Sequence, residues 1–422
     1  MFINKVTVWR ISSILLLCVL MIACAPERES SNDVNGNSDL ENGGMPDKPD
    51  ELLVWINDND EDIEAAEKIT EAYTKDTGIE IKLESVAEPD QVQKLSLAGP
   101  TGDGPDLFYQ PQDRLGDIVL QGLADPMEFT EEELNEFSDS AIESVTYEGD
   151  IYGSPAIIDT YFVYYNKSLI DSPPETLDEV FEISEELTDR DNDEYGFLAP
   201  AEFYYLYPFI SSYGGYIFGE ENGTYDITDI GLANEGAVEG LRKYKEFLDK
   251  DLLPKTITVD VLDGLFTEGK VGMVLSGPWS IPYYKDALGD DLGTARLPEI
   301  NGDIAPSFVG VKSWFVSSFS DHSEWATDLA KFMTNDENSD VIFESTGELP
   351  PRQDLIDQID DPIYDGYTEQ VPYGIAMPNI PEMSAVWDMD NAIELIINGD
   401  DVEDVLKSTV EIIEEQISLS GE

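Results

Sequence analysis

The chain has 422 residues, with 90 acidic side chains against 23 basic ones and a formal net charge of −67 at pH 7. A surface of that sign repels phosphate backbones, which excludes nucleic acid as a partner, and it repels anionic lipid headgroups as well. Cysteine occurs only at positions 18 and 24 and histidine only at 322, in the polar context Ser-Asp-His-Ser, so neither a Cys nucleophile nor a Ser-His-Asp triad is expected.

The N-terminus reads as a lipoprotein signal peptide over residues 1–23. Lys5 and Arg10 precede an apolar run from Ile11 to Ala23, and Cys24 follows small Ala23. A basic n-region, a short apolar h-region and a small residue at the cut describe a secretory signal. A cysteine at the first mature position is the acceptor pattern of bacterial lipoproteins. The run is too short to cross ~30 Å of hydrocarbon as a helix. The expected location is the extracellular face of the cell membrane, anchored through lipid on Cys24. Cys18 lies inside the signal, so the mature chain can form no internal disulfide and must be stabilised by packing. The acidic excess would repel itself in dilute buffer, whereas at ~1 M salt a Debye length of ~3 Å screens it. A halophilic host follows as the simplest expectation.

Residues 24–50 are rich in Ser, Asn, Gly, Pro and acids, and read as a disordered acidic tether. Order is expected from Leu52-Leu53-Val54-Trp55-Ile56, an apolar strand. Ile63, Ala66, Ile69 and Tyr73 then recur at helical spacing up to Gly78, and Ile79, Ile81 and Leu83 alternate as a second strand. Strand–helix–strand suggests a parallel sheet with helices on its faces. Ligands bind beyond the carboxyl ends of such strands, where Asn57-Asp58-Asn59-Asp60 falls.

Aromatic residues beside carboxylates and turns are the notable feature of the middle and the end of the chain. They include Glu202-Phe203-Tyr204-Tyr205-Leu206-Tyr207, Gly277-Pro278-Trp279 and Met383-Ser384-Ala385-Val386-Trp387. Flat rings and hydrogen-bond acceptors suit a sugar, which offers C–H faces to stack and hydroxyls to satisfy. The run Asp189-Arg190-Asp191-Asn192-Asp193-Glu194-Tyr195-Gly196 alternates oxygen ligands as a calcium loop does. It lacks glycine at the sixth position, and Pro200 at the twelfth supplies no side-chain ligand, so it reads as an acidic surface turn. No metal or cofactor is expected. Val402, Leu406, Val410, Ile413 and Ile417 mark a C-terminal amphipathic helix.

Nine segments in order resemble the maltose/maltodextrin-binding proteins, the extracellular solute-binding components of ABC sugar importers. They are Val54-Trp55-Ile56-Asn57, Thr101-Gly102-Asp103-Gly104-Pro105-Asp106, Asp113-Arg114, Tyr165-Asn166-Lys167, Gly214-Gly215-Tyr216, Glu221-Asn222-Gly223-Thr224-Tyr225-Asp226, Ser276-Gly277-Pro278-Trp279, Phe308-Val309-Gly310-Val311 and Met377-Pro378-Asn379-Ile380-Pro381. The resemblance implies an α/β fold of the two-lobe periplasmic-binding-protein type (class II), with the ligand in the interlobe cleft and a hinge of several chain crossings. It implies an N-terminal lobe from 51–158 plus 309–357 and a C-terminal lobe from 159–308 plus 358–422.

Carried over residue by residue, the resemblance makes Asp113 and Arg114 hydroxyl-binding residues of the first lobe, Asp159 an acid near the hinge, and Glu202, Tyr204 and Tyr205 hydroxyl-binding and stacking residues. Trp279 and Trp387 would be the principal stacking rings, and Asn59 would bind a hydroxyl through its amide. Asn59 and Asp60 stand where the prototype has an aspartate and a lysine, and Gln110 stands where it has a tryptophan. Asp388 and Asn391 replace an aromatic and an arginine. The implied function is a monomeric binding protein, not an enzyme, that closes on maltose or maltodextrin and delivers it to ABC transporter permease subunits. Another oligosaccharide as cargo and a sensor role remain open. So does a glycoside hydrolase, for which Glu202 and Asp159 would be the carboxylate pair.

Overall fold

The apolar run after residue 50 forms a strand because its alternate side chains find partners on two faces. A computed structural model describes residues 45–221, 224–255 and 257–420; Cys24, the signal and most of the tether segment lie outside the described residues. In chain order the sheet strands are β1 (Glu51–Ile56), β2 (Glu80–Ser85), β3 (Leu107–Pro111), β4 (Gly153–Thr160), β5 (Phe162–Asn166), β6 (Tyr195–Leu198), β7 (Val271–Ser276), β8 (Leu292–Ala295), β9 (Phe308–Val316) and β10 (Ile375–Ala376). The first sheet has the order β10–β9–β3–β1–β2, with β4 on the other edge of β9. β1 runs parallel to β2 and β3, whereas β9 runs antiparallel to β3 and β4. The second sheet has the order β8–β5–β7–β6, with β5 antiparallel to both neighbours and β7 parallel to β6.

These two sheets make the α/β, two-lobe fold of a class II binding protein. The chain leaves the first sheet at β4 and enters the second at β5, with Tyr161 alone between them. It returns to the first sheet between β8 and β9.

The helix expected after β1 spans Asp60–Thr77, capped by the Asn59 side chain and ended by Gly78 at φ 74°, a left-handed conformation suited to glycine. It buries Ala65, Ala66, Ile69, Thr70 and Tyr73. Leu52, Val54 and Ile56 of β1 join that core, while Trp55 points the other way and packs with Phe108, Phe315, Leu115 and Ile118. Period-two alternation thus serves both layers of helices. Each large apolar side chain so buried contributes about 1.5–3 kcal/mol.

The C-terminal helix spans Val402–Ser420 and buries Val402, Leu406 and Ile413 in the second core, with Val410 and Ile417 packed against it. That core extends to Ile158, Tyr161, Phe308 and Val311, where the chain passes between the sheets.

The last residues of the tether segment lie against the folded part. Pro49 is buried, Lys48 donates to the Thr77 carbonyl at 2.8 Å, and the Trp325 indole donates to the Pro46 carbonyl at 3.2 Å. Among the described residues no helix is long and apolar enough to cross a membrane.

Candidate functional site

Asp113, Asp159 and Trp279 lie at or just after the ends of strands of the two sheets. Asp113 and Arg114 occupy a single 3-10 turn, Gln112–Arg114, directly after β3. Asp113 is buried and accepts a hydrogen bond at 3.0 Å from the indole N–H of Trp387, which ends the short helix Met383–Val386. The Arg114 guanidinium lies 3.6 Å from the same carboxylate. Burial pushes the Asp113 carboxyl above the ordinary carboxylate range, and Arg114 and the Trp387 N–H partly offset it. The segment bearing Trp387 is pinned upstream. The Gln112 amide donates to the Met377 carbonyl at 2.8 Å and accepts from the Val311 N–H at 3.0 Å. A Cβ on Gly116 would fall 2.1 Å from the Pro381 nitrogen, so glycine permits that approach.

Asp159 lies near the end of β4, opposite Gly310 of β9. Beside it stands Lys312 of β9, whose ammonium donates to Glu348 at 2.6 Å and lies 3.2 Å from Asp159 Oδ2. Both acids are almost fully buried, at 5% and 3% side-chain exposure, whereas Lys312 retains 22%. Burial alone would pull the ammonium down; Glu348, Asp159, Tyr109 and Glu88 outweigh it and hold it well above its ordinary value. Burial raises Glu348 to about 8 and Glu88 to about 7, with Lys312 opposing both shifts. Among the described residues the buried Tyr109 Oη has no hydrogen-bond partner, and the buried Asp159 Oδ2 has only its contact with Lys312.

The aromatic side comes from three places. Trp279 is the middle residue of the 3-10 turn Pro278–Ser280 after β7, with its indole lying over Gly277, where a Cβ would come within 2.2 Å of the ring. That contact explains glycine two residues before the tryptophan. The Lys312 ammonium lies 5.4 Å from the Trp279 ring centre. Tyr204 and Tyr205 start the helix Phe203–Ser212 and pack edge-on at 5.1 Å, with Tyr161 against both at 4.8 and 5.5 Å. Phe203 meets Trp387 edge-on at 5.9 Å, and its backbone N–H is held by Asp390 at 2.7 Å.

The structure thus joins Asp113, Arg114 and Trp387 by direct contacts. It joins Asp159 and Trp279 through Lys312, and the charges of Asp159 and Lys312 act on Tyr204. Glu202 stands exposed at the start of the Tyr204 helix. Asn59 is exposed, and its side chain is engaged within the helix start: Oδ1 accepts from the Asp62 N–H at 2.7 Å and Nδ2 donates to Asp62 at 2.6 Å. Lys312 and Glu348 were not among the residues expected from sequence. The available signal was a lone charge inside the apolar strand Phe-Val-Gly-Val-Lys-Ser-Trp-Phe-Val. The Asp189 loop is an acidic turn closed on itself, with Asp189 accepting from the Asp191 N–H and the Asn192 amide.

Residues 68–368 match the family model of the bacterial extracellular solute-binding proteins. A galactooligosaccharide-binding protein of Bacillus subtilis (strain 168) is 33% identical over 407 residues, covering 92% of each chain. A maltodextrin-binding protein of the same organism is 31% identical, covering 77% of this chain and 80% of its own. Among solved structures, a cyclo/maltodextrin-binding protein complexed with maltotetraose matches with a TM-score of 0.77 and 37% identity, covering 89% of this chain and 99% of that one. A Thermus thermophilus maltotriose-binding protein bound with maltotriose matches with a TM-score of 0.81 and 28% identity, covering 87% and 100%. By the family model and these relatives, the chain belongs to the bacterial extracellular solute-binding protein family and is similar, within it, to the maltose/maltodextrin-binding proteins.

Proposed function

We propose that this chain is the lipid-anchored, extracellular sugar-binding component of an ABC importer. It captures maltose or a maltodextrin in its cleft and passes the sugar to a membrane permease, without chemical turnover. The observation that carries the reading is the pairing of Trp279 and Trp387 with buried hydrogen-bonding groups: the Trp387 indole on Asp113, and the Lys312–Asp159 pair beside Trp279. Indole faces stack sugar C–H surfaces, and charged acceptors and donors bind hydroxyls more strongly than neutral ones do. The charged groups come from strands and turns of the first sheet and the rings from elements around the second. A ligand touching both sets binds the closed form better than the open one and shifts the hinge equilibrium toward closure.

A second reading keeps the mechanism and changes the cargo to a galactooligosaccharide. The B. subtilis relative so named, similar over 92% of this chain, favours it. Calorimetric titration of the purified protein in molar salt with maltotriose and with a β-galactooligosaccharide separates the two. Binding of maltotriose at the lower Kd is the expected result; preference for the galactooligosaccharide replaces the cargo, and heat from neither ends the sugar reading. Incubation with either sugar should release no new reducing ends. Cys24 supports the lipid anchor on sequence grounds, and a monomer is expected.

A further inference from the structure

The strand β9 carries one cation across the floor of the cleft, and its surroundings assign it more than a structural task. We propose that Lys312 is a specificity-determining residue of the sugar site, acting with Asp159 as a charged donor–acceptor pair that reads two neighbouring hydroxyls of the sugar ring held at Trp279. The proposal rests on the sugar-binding reading above and deepens it.

Four observations carry it. An ammonium has three N–H donors and no acceptor. One donor is taken by Glu348 at 2.6 Å, while the buried Asp159 Oδ2 stands 3.2 Å from the same ammonium, its only polar contact among the described residues. A buried carboxylate oxygen with acceptor capacity left over is costly to maintain, and a sugar hydroxyl supplies a further donor. The Lys312 side chain is the least enclosed of the triad, at 22% against 3–5% for its two acids. Finally, its ammonium lies 5.4 Å from the Trp279 ring centre, which puts donor, acceptor and stacking surface in one place.

A Lys–Asp pair side by side matches a vicinal diol: one hydroxyl accepts from the ammonium, and its neighbour donates to the carboxylate. Glu348 then has a separate role. It anchors the amine from the protein side, so that the remaining donors are presented in a fixed direction rather than swinging with a flexible stem.

Isothermal titration of wild type, Lys312→Met and Lys312→Arg with maltotriose, and with maltose analogues each lacking one hydroxyl, tests this. Lys312→Met should weaken maltotriose binding at least about tenfold, the loss of one hydrogen bond to a charged group, and Lys312→Arg should recover part of the loss. In wild type, removal of one particular hydroxyl should weaken binding by a similar factor, and in Lys312→Met that penalty should vanish. Thermal melts of each variant verify folding, and the hydroxyl-specific penalty is a readout that a purely structural lysine would not move. Wild-type affinity in Lys312→Met, or a loss equal for every analogue, would overturn the assignment. Failure of wild type to bind any of these sugars would overturn the sugar reading instead.

Discussion

The two sides of the proposed cleft are built differently. The floor is charged: Asp113, Arg114, Asp159 and Lys312 come from strands and turns of the first sheet, Glu88 begins a helix and Glu348 follows one, and they act on one another through burial and close charge. The wall is aromatic: Tyr204, Tyr205, Trp279 and Trp387 sit on helix starts and turns around the second core, in contact with Tyr161, Phe203 and Gly277. The wall supplies apolar area and a flat geometry, which are insensitive to pH. The floor supplies direction and selectivity, and its charges respond to pH. Affinity should therefore depend mainly on the wall, and hydroxyl selection and pH dependence on the floor.

The largest effect on binding should come from Trp387, because it belongs to the wall and also touches the floor. Trp387→Ala removes a stacking ring and leaves the buried Asp113 carboxylate without its indole donor. A central aromatic anchor of this kind is worth about 2–4 kcal/mol, or roughly 30- to 1,000-fold in Kd. Titration calorimetry with maltotriose should show that loss while the melting curve stays cooperative. A Kd within a factor of two of wild type would break the assignment of Trp387 to the ligand face.

A second effect should appear in stability rather than in binding, and only on the floor. Burial raises Glu348 to about 8, well above its ordinary value of 4.5. A carboxyl whose folded pKa is raised contributes stability that is fully present below its unfolded pKa and is lost as pH rises through the folded value. The wild-type advantage over Glu348→Gln should therefore decline between about pH 5 and about pH 9. At about 1.4 kcal/mol per pKa unit the full change is on the order of 5 kcal/mol. Chemical denaturation at fixed molar salt measures it. A difference that does not vary with pH would show that Glu348 titrates as an ordinary surface acid. Trp387→Ala should alter the pH slope only through Asp113, whose carboxyl loses the indole donor that holds it down, and should leave the part due to Glu348 in place.

The same contrast explains how much could be read from sequence. The first strand, helix and strand were legible because their signals are local: alternating apolar residues, helical spacing from Ile63 to Tyr73, and Gly78 as a stop. The aromatic wall was legible for a related reason, since each ring is placed by a turn within two or three residues of itself, as Gly277 places Trp279. The charged floor was only partly legible. Lys312 meets Asp159 through an antiparallel register between β9 and β4, more than 150 residues apart in sequence, and meets Glu348 across the loop after a helix. Sequence pattern registers a lone lysine in an apolar strand, but its partners are fixed by tertiary pairing.

The smallest effect concerns a residue with two possible duties. Asn59 lies beyond the carboxyl end of β1, where a ligand residue is expected, yet its side chain caps the helix Asp60–Thr77 and binds Asp62 at both of its polar atoms. Loss of an N-cap costs about 1 kcal/mol, and serine replaces asparagine in that role at little cost. If capping is its whole contribution, Asn59→Ala should lower stability by about that amount, Asn59→Ser should restore it, and both should bind maltotriose as wild type does. If the amide also binds a hydroxyl, Asn59→Ser should be as stable as wild type and still bind more weakly. Denaturation and titration of the same two variants therefore decide whether the aromatic wall and charged floor are joined by a third contact at the rim of the cleft, contributed by the loop after the first strand.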